Sequence, residues 1–481
     1  MKKYIVSICL GMVFLSSCSN WLDVQPKTTV EEEKVFSREL GFKEALTGVY
    51  IKMASTDLYA RNLSYGFIDI LGQRYQASDA LTYQNELWYT FPSTKTESYT
   101  KTIWEKMYNI IANVNNLLYY CDENKQVFTT GHYYEIIKGE ALGLRAAIHF
   151  DLLRFFAVHV NSKNASAKAE AIPYVTKYTF KVTPFSSVEE VYEKIIADLK
   201  EAETCLAEDE TLMPKIRKGG EKGFTGAREL HFNLYAAQAM LARVYWMKGD
   251  LENAKKYANK VIQSEKFQFV NQEDLSTFMK RRISLSETIW GLYTTNISSY
   301  LYDRHAAKTI MILHNDWKLL YKNTEGPEPG EDKRLSAWFL SKENTGNSKD
   351  ICAKIMDESN DASEYSGGAY LGFSMIRIPE MYYIMAEALL EEGNEEHARD
   401  YLDAVVSARG MVKFADRDTG KDITLDDIMN ERRKELFGEG QWWFCLKRLN
   451  RDVYVHALDA TLKGSDRIYT LPIPTEELDP R

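Results

Sequence analysis

The chain has 481 residues, 45% of them hydrophobic and 12% aromatic, which is enough apolar surface for a large core. Its 69 acidic side chains outnumber the 60 basic ones, for a formal charge of −9. With that balance and no basic run, nucleic-acid binding is excluded from the expected functions.

The chain opens MKKYIVSICLGMVFLSSC, with Lys2 and Lys3 as a positive end and an apolar core from Ile5 to Leu15. The apolar run is too short to span a bilayer and has the flanks of a secretory leader. Its end, Leu15-Ser16-Ser17-Cys18, looks like a bacterial lipobox, in which the leader is cut before the cysteine and the sulfur takes the lipid. Residues 1–17 are therefore expected to be a lipoprotein signal peptide and Cys18 the lipidation site. Residues 18–36, with Pro26 and the acidic run Glu31 to Glu33, read as a lipidated tether. Losing Lys2 and Lys3 takes the mature charge to about −11. Acyl chains contribute about 0.8 kcal/mol per buried CH₂ and more than one anchors stably, so the expected place is on a membrane rather than across it. Cys121, Cys205, Cys352 and Cys445 remain, without any CxxC, and read as buried free thiols.

A helix is predicted at about 38–54, carrying GFKEALTGVY. Residues 71–100 lose helical periodicity and gain Tyr, Trp, Gln and Asn. The next helix, about 100–120, sets Ile103, Met107, Ile110, Ile111 and Val114 on one face. Another, about 134–157, has Ala141, Leu144, Ala147 and Ile148 at helical spacing. After an irregular stretch with Pro173 and Pro184, Ser187-Val188-Glu189-Glu190 reads as a capping box opening a helix through Leu206. This helix and 134–157 read as a helix pair split by an insertion.

Residues 233–264 and 379–410 are two copies of one unit. At a fixed offset Ala242 matches Ala386, Gly249 matches Gly393, Ala254 matches Ala398 and Val261 matches Val405. Small residues at a helix crossing and a glycine at the turn make a tight antiparallel pair of the tetratricopeptide kind, which must stack on others to bury its apolar face. Between the copies, residues 267–372 are poorly periodic but rich in rings, among them Trp290, Tyr293, Trp317, Tyr321 and Trp338, too many for a disordered segment. Further on, Thr424 to Asp427 caps a helix ending at Gly438, and a Pro-rich tail closes the chain. The expected fold is mostly α. Tetratricopeptide-like helix pairs form a helical scaffold over about 37–70, 100–264 and 373–481, with an inserted loop-rich lobe over about 71–99 and 267–372.

Several segments together resemble the RagB/SusD family of nutrient-binding outer-membrane lipoproteins: the lipobox with NWLDVQP, GFKEALTGVY, EALGLRAAIHF, PEMYYIMAEALL, ERRKELFGEGQWWFCLKR and LPIPTEEL, in the family's order. The chain departs from the family at Gln441 to Leu446, where Arg-Trp-Phe-Asp-Leu is usual, and at Asp403 to Val406, where Asn-x-Val-Arg is usual. The resemblance implies a SusD-like domain over 37–481, non-enzymatic, whose loop-rich lobe carries the ligand surface. It implies capture of oligosaccharides, or in some branches oligopeptides, at the outer membrane facing the exterior. It also implies a partner, a SusC-like TonB-dependent β-barrel transporter over which the protein sits as a lid.

Motifs for chemistry are missing from the sequence: there is no HExxH, GxSxG, Walker loop or GxGxxG, and no cofactor, metal or catalytic residue is assigned. His149, on an apolar helix face, reads as a satisfied core or interface side chain. The run ADRDTGKDITLDD (415–427) lacks the glycine and terminal Glu of an EF-hand and reads as a turn and N-cap. Glu431, Arg432, Arg433, Glu435 and Glu439 read as a salt-bridged helix face rather than an acid/base cluster. Rings interleaved with amides and guanidinium groups in the irregular stretches suit a ligand cradle. The ligand contacts expected are Arg74, Tyr75, Gln76, Asn85, Trp88, Tyr89, Tyr293 and Trp317. Two other functions stay open: a lipid-anchored glycan hydrolase, which needs two converging carboxylates, and a protein-binding tetratricopeptide scaffold.

Overall fold

The computed structural model describes residues 27–478 apart from 77–82, 92, 163–169, 222, 279–281, 295–311, 314–316, 322–331, 345–346, 353, 355–368 and 418–421. The leader and Cys18 lie outside the described residues. The chain is mostly helical. α1 (Lys27–Val35) and α2 (Glu39–Met53) lead to three long helices, α3 (Thr94–Glu123), α4 (Tyr133–Phe156) and α5 (Val188–Cys205). α3 starts six residues earlier than the expected 100, because the Ser93 hydroxyl accepts from the Thr96 N–H and caps it there.

α4 is the central helix, packed against both α3 and α5 and buried along nearly its whole length. Its charges are tolerated there because each is paired. Arg145 donates two hydrogen bonds of 2.7 Å to Asp198 of α5, Glu140 meets Arg228, and Asp151 accepts from Tyr59 at 2.7 Å. His149 is satisfied as a neutral ring, Nδ1 bonding the Arg145 carbonyl at 2.9 Å and Nε2 accepting from the Val175 N–H at 3.0 Å. α5 opens on the capping box read from sequence, Ser187 and Glu190 each bonding the other's backbone. The insertion between α4 and α5 holds two short antiparallel strands, Glu170–Pro173 and Phe185–Ser187.

The repeated units are α6 (Leu234–Lys248) with α7 (Leu251–Gln263) and α8 (Ile378–Glu391) with α9 (Glu395–Ala408). Ala242, Ala254, Ala386 and Ala398 are fully buried where the helices cross. Gly249 and Gly393 take φ of 87° and 76°, the left-handed turn that lets each pair reverse within a few residues. α7 packs on α8, so the two pairs stack. α10 (Leu425–Glu435), capped by Thr424 and Asp427, and α11 (Trp442–Arg448) close the scaffold. At the departure from the family pattern, Gln441 accepts from Arg154 at 3.0 Å and Cys445 is buried, so packing absorbs the change.

The second lobe is built on short strands. These are β1 (Tyr75–Gln76), β2 (Arg282–Ser284), β3 (Thr288–Tyr293), β4 (Ile312–Leu313), β5 (Phe339–Asn344), β6 (Asn347–Cys352) and β7 (Ala369–Arg377). β7 runs antiparallel between β2 and β3, and β5 and β6 form a hairpin. β1 pairs with β4, Tyr75 opposite Leu313 and Gln76 opposite Ile312, which joins the two irregular stretches directly. This lobe has its own small core, including Tyr65, Ile70, Tyr75, Tyr83, Leu275, Tyr321, Trp338, Phe339 and Phe437.

The lobes are locked by a buried ion network, and here the expected salt-bridged helix face is corrected. Of the α10 charges, only Glu431 to Lys434 (2.6 Å) stays within the helix. Glu435 instead accepts from Arg334 (3.1 Å), Arg377 (2.7 Å) and Arg409 (2.8 Å), which come from three other segments. Glu287 takes up the remaining faces of Arg377 and Arg409, both at 2.9 Å. Burial alone pushes Glu435 up, but Arg409 and Arg377 overcome it and hold its carboxyl well below the usual range. Glu435 stays ionised and locked, the opposite of what a proton donor needs.

Candidate functional site

The segment 71–90 is fixed by two non-glycine residues in left-handed backbone, Gln73 (φ 53°) and Tyr89 (φ 52°). Each is held by the other's neighbourhood: Gln73 Nε2 donates to the Leu87 carbonyl at 2.8 Å, and the Tyr89 hydroxyl donates to the Leu71 carbonyl. This reciprocal clamp turns the chain so that Gln73 and Arg74 face an open cleft of about 220 Å³. Trp317, Leu319, Leu320 and Tyr321 line it from the inserted lobe, Arg433 and Phe437 from the end of α10, and His456 from beyond α11.

The rings support one another in a chain: Trp317 tilts against Phe339 (4.1 Å between centroids), and Phe339 meets Phe437 edge-on (5.3 Å). The Tyr321 hydroxyl donates to the Lys434 carbonyl at 3.0 Å, tying the cleft wall to α10. The Arg74 guanidinium lies over Phe437 (5.0 Å) and Trp442 (5.4 Å) and donates to the Arg433 carbonyl at 2.7 Å. Behind it, Asp69 is buried with one oxygen accepting from the Gly438 N–H at 3.1 Å. Burial pushes its carboxyl up to about 7 despite the opposing pull of Arg74.

Of the eight residues read from sequence as ligand contacts, the structure brings Arg74 and Trp317 to one cleft. Tyr75 and Tyr89 are corrected: at 1% and 0% exposure, they pack in the two cores and present no ring face for stacking. Asn85 and Trp88 are half-buried beyond the cleft, Asn85 accepting from the Thr90 hydroxyl at 3.0 Å. Tyr293 is 43% exposed at the end of β3, also outside the cleft lining. The backbone of Gln76 pairs in β1, and its side chain lies outside the described residues. Sequence reasoning missed Gln73 and Tyr321, which lie in the stretches read as the ligand lobe but were not singled out as contacts, and Arg433, Phe437 and His456, which lie in segments read as scaffold. Among the described residues no group of three or more His, Cys, Asp or Glu is placed to hold a metal ion. Among the described residues no helix is long and apolar enough to cross a membrane.

Residues 20–246 match a SusD-like family described as starch-binding and associating with the outer membrane, and residues 340–479 match the SusD family itself. A tetratricopeptide match covers 235–267, the first repeated helix pair. The SusD-like protein P38 of Formosa agariphila is 22% identical, over 94% of this chain and 92% of its own length. A SusD superfamily crystal structure from Bacteroides thetaiotaomicron shares the fold, with a TM-score of 0.71 and 23% identity over 92% of this chain and 97% of that one. A laminarin-binding SusD-like protein superposes with a TM-score of 0.62 at 21% identity, over 92% of this chain and 97% of its own. The helix pairs, the inserted lobe and these matches along both ends of the chain place it in one family: the protein belongs to the SusD/RagB family.

Proposed function

We propose that the protein is a cell-surface glycan-binding lipoprotein that captures oligosaccharides and delivers them, as a lid, to a SusC-like TonB-dependent barrel. The observation that carries this reading is the cleft where the two irregular stretches meet, with the Trp317 ring beside Arg74, Gln73 and His456. A flat ring set among a few polar groups is the arrangement that binds the apolar face of a pyranose while hydrogen bonds orient its hydroxyls. The laminarin-binding relative supports a sugar over a peptide as ligand. Glu435, locked by Arg334, Arg377 and Arg409 and held well below the usual carboxylate range, gives no support to a hydrolase. Anchoring through Cys18 and the lidded barrel complete the reading: a pore cover needs a membrane tether and a hinge.

The test is calorimetric titration of the protein with neutral and acidic oligosaccharide pools and with oligopeptide pools. Oligosaccharide binding without turnover is the expected result. Binding of peptides alone, or cleavage of any glycan, overturns it.

A further inference from the structure

Among the described residues, arginines are buried only when a carboxylate meets them, with one exception. Every other buried arginine among the described residues contacts an Asp or Glu oxygen. Arg74, at 3% exposure, has no carboxylate of the described residues within ion-pair reach. Its protein partners are one backbone carbonyl and two ring faces, and its Nε has no hydrogen-bond partner. A guanidinium so placed carries a desolvated charge that the protein itself leaves largely uncompensated. Asp69, the acid behind it, lies beyond pairing distance, and burial pushes its carboxyl up against the pull of Arg74. The described residues lining the cleft include two arginines and a histidine and no Asp or Glu, in a chain whose overall charge is −9.

We propose that the cleft selects an anionic oligosaccharide, one whose sugar bears a carboxylate or a sulfate ester, and that Arg74 is the residue that recognises the anion. This rests on the glycan-binding reading and narrows it. A guanidinium donates charge-assisted hydrogen bonds to a carboxylate or sulfate, and its burial raises the strength of that pairing above a surface contact. Trp317 then holds the ring that carries the anion, so charge and stacking act on the same sugar. A neutral glucan would gain the stacking but leave the guanidinium desolvated with no counter-charge, which penalises it.

The experiment is isothermal titration of the full chain in detergent with four probes: an oligogalacturonate, its carboxyl-reduced neutral counterpart, a sulfated galactan oligosaccharide and a neutral β-glucan oligosaccharide. The expected result is binding of the uronate or the sulfated probe at least tenfold tighter than either neutral one, weakening as salt rises. Whichever acidic probe binds identifies the anion. Arg74→Gln should erase the preference, the acidic probes falling to the level of the neutral ones, and Arg74→Lys should restore part of it. If Arg74→Gln does not fold, the comparison of the uronate with its carboxyl-reduced form on the parent protein decides alone. Equal or tighter binding of the neutral probes overturns this proposal and leaves the glycan-binding reading standing. Binding of none of the four overturns both.

Discussion

Replacing Glu435 by Gln should be among the most damaging single changes available in this chain. Glu435 is fully buried and receives hydrogen bonds from Arg334, Arg377 and Arg409. Gln keeps the shape but removes the negative charge and turns one acceptor into a donor facing guanidinium N–H groups. The network's buried cations Arg334, Arg377 and Arg409 would then share Asp332, Glu431, Glu287 and Glu439, with the three-way centre gone. Breaking a buried pair while its partner stays charged costs about 3–5 kcal/mol. With a urea slope of about 3–4 kcal/mol per molar for a chain of this size, the midpoint falls by about 1 M. Lys255→Ala, which removes the more exposed ion pair to Glu392, is the control and should change stability by no more than about 1 kcal/mol. Urea unfolding followed by circular dichroism and by tryptophan fluorescence measures both. Because the network joins the lobes, the fluorescence and helix signals should separate in Glu435→Gln. A stability within about 0.5 kcal/mol of the parent would show that the network does not hold the lobes together.

Gly143→Ala should destabilise despite alanine's better helix propensity. An added Cβ would overlap the Phe232 ring, and overpacking of a rigid core costs about 1–3 kcal/mol, against the propensity gain of about 1 kcal/mol; a thermal melt shows the sign. His149→Gln should flatten the acid side of the stability profile. Burial holds the ring at about 3, below its usual range. Between that value and about 6.5 the unfolded chain binds the proton and the folded chain does not, so this contribution is present above 6.5 and declines as pH falls. The parent should lose more stability than the variant between pH 7 and 5, by up to about 1.4 kcal/mol per pH unit below 6.5, as read from urea midpoints. Trp317→Ala should weaken oligosaccharide binding several-fold, through about 0.5–1.5 kcal/mol of lost stacking, with the fold intact. Tyr89→Ala should do the reverse, costing about 3–5 kcal/mol of stability through the cavity it leaves, which calorimetry of folding and of binding separates.

Much of the scaffold is legible because its signals are local. Ala242 and Ala386 mark helix crossings, Gly249 and Gly393 mark reversals, and the Ser187 and Thr424 boxes fix helix starts to the residue. The site is less so. Tyr75 and Tyr89 sit in aperiodic sequence, which reads as ligand surface, yet they fill cores built from short helices such as Gln84–Leu87 that are too brief to show a period. Arg433 and Phe437 lie in a run that reads as scaffold, and they line the cleft only because α10 ends beside the inserted lobe. The buried ion network is invisible for the same reason. Charges three and four apart on α10 look like intrahelical pairs, and only the tertiary arrangement shows that Arg334, Arg377 and Arg409 converge on Glu435.

The central claim, that this cleft is where a glycan binds, is tested most directly by hydroxyl-radical footprinting with a saturating oligosaccharide. The account predicts that Trp317 and His456 become protected while Tyr293, exposed on β3 outside the cleft, keeps its reactivity. A bound oligosaccharide that leaves Trp317 as reactive as in the free protein, or that protects Tyr293 instead, would contradict it.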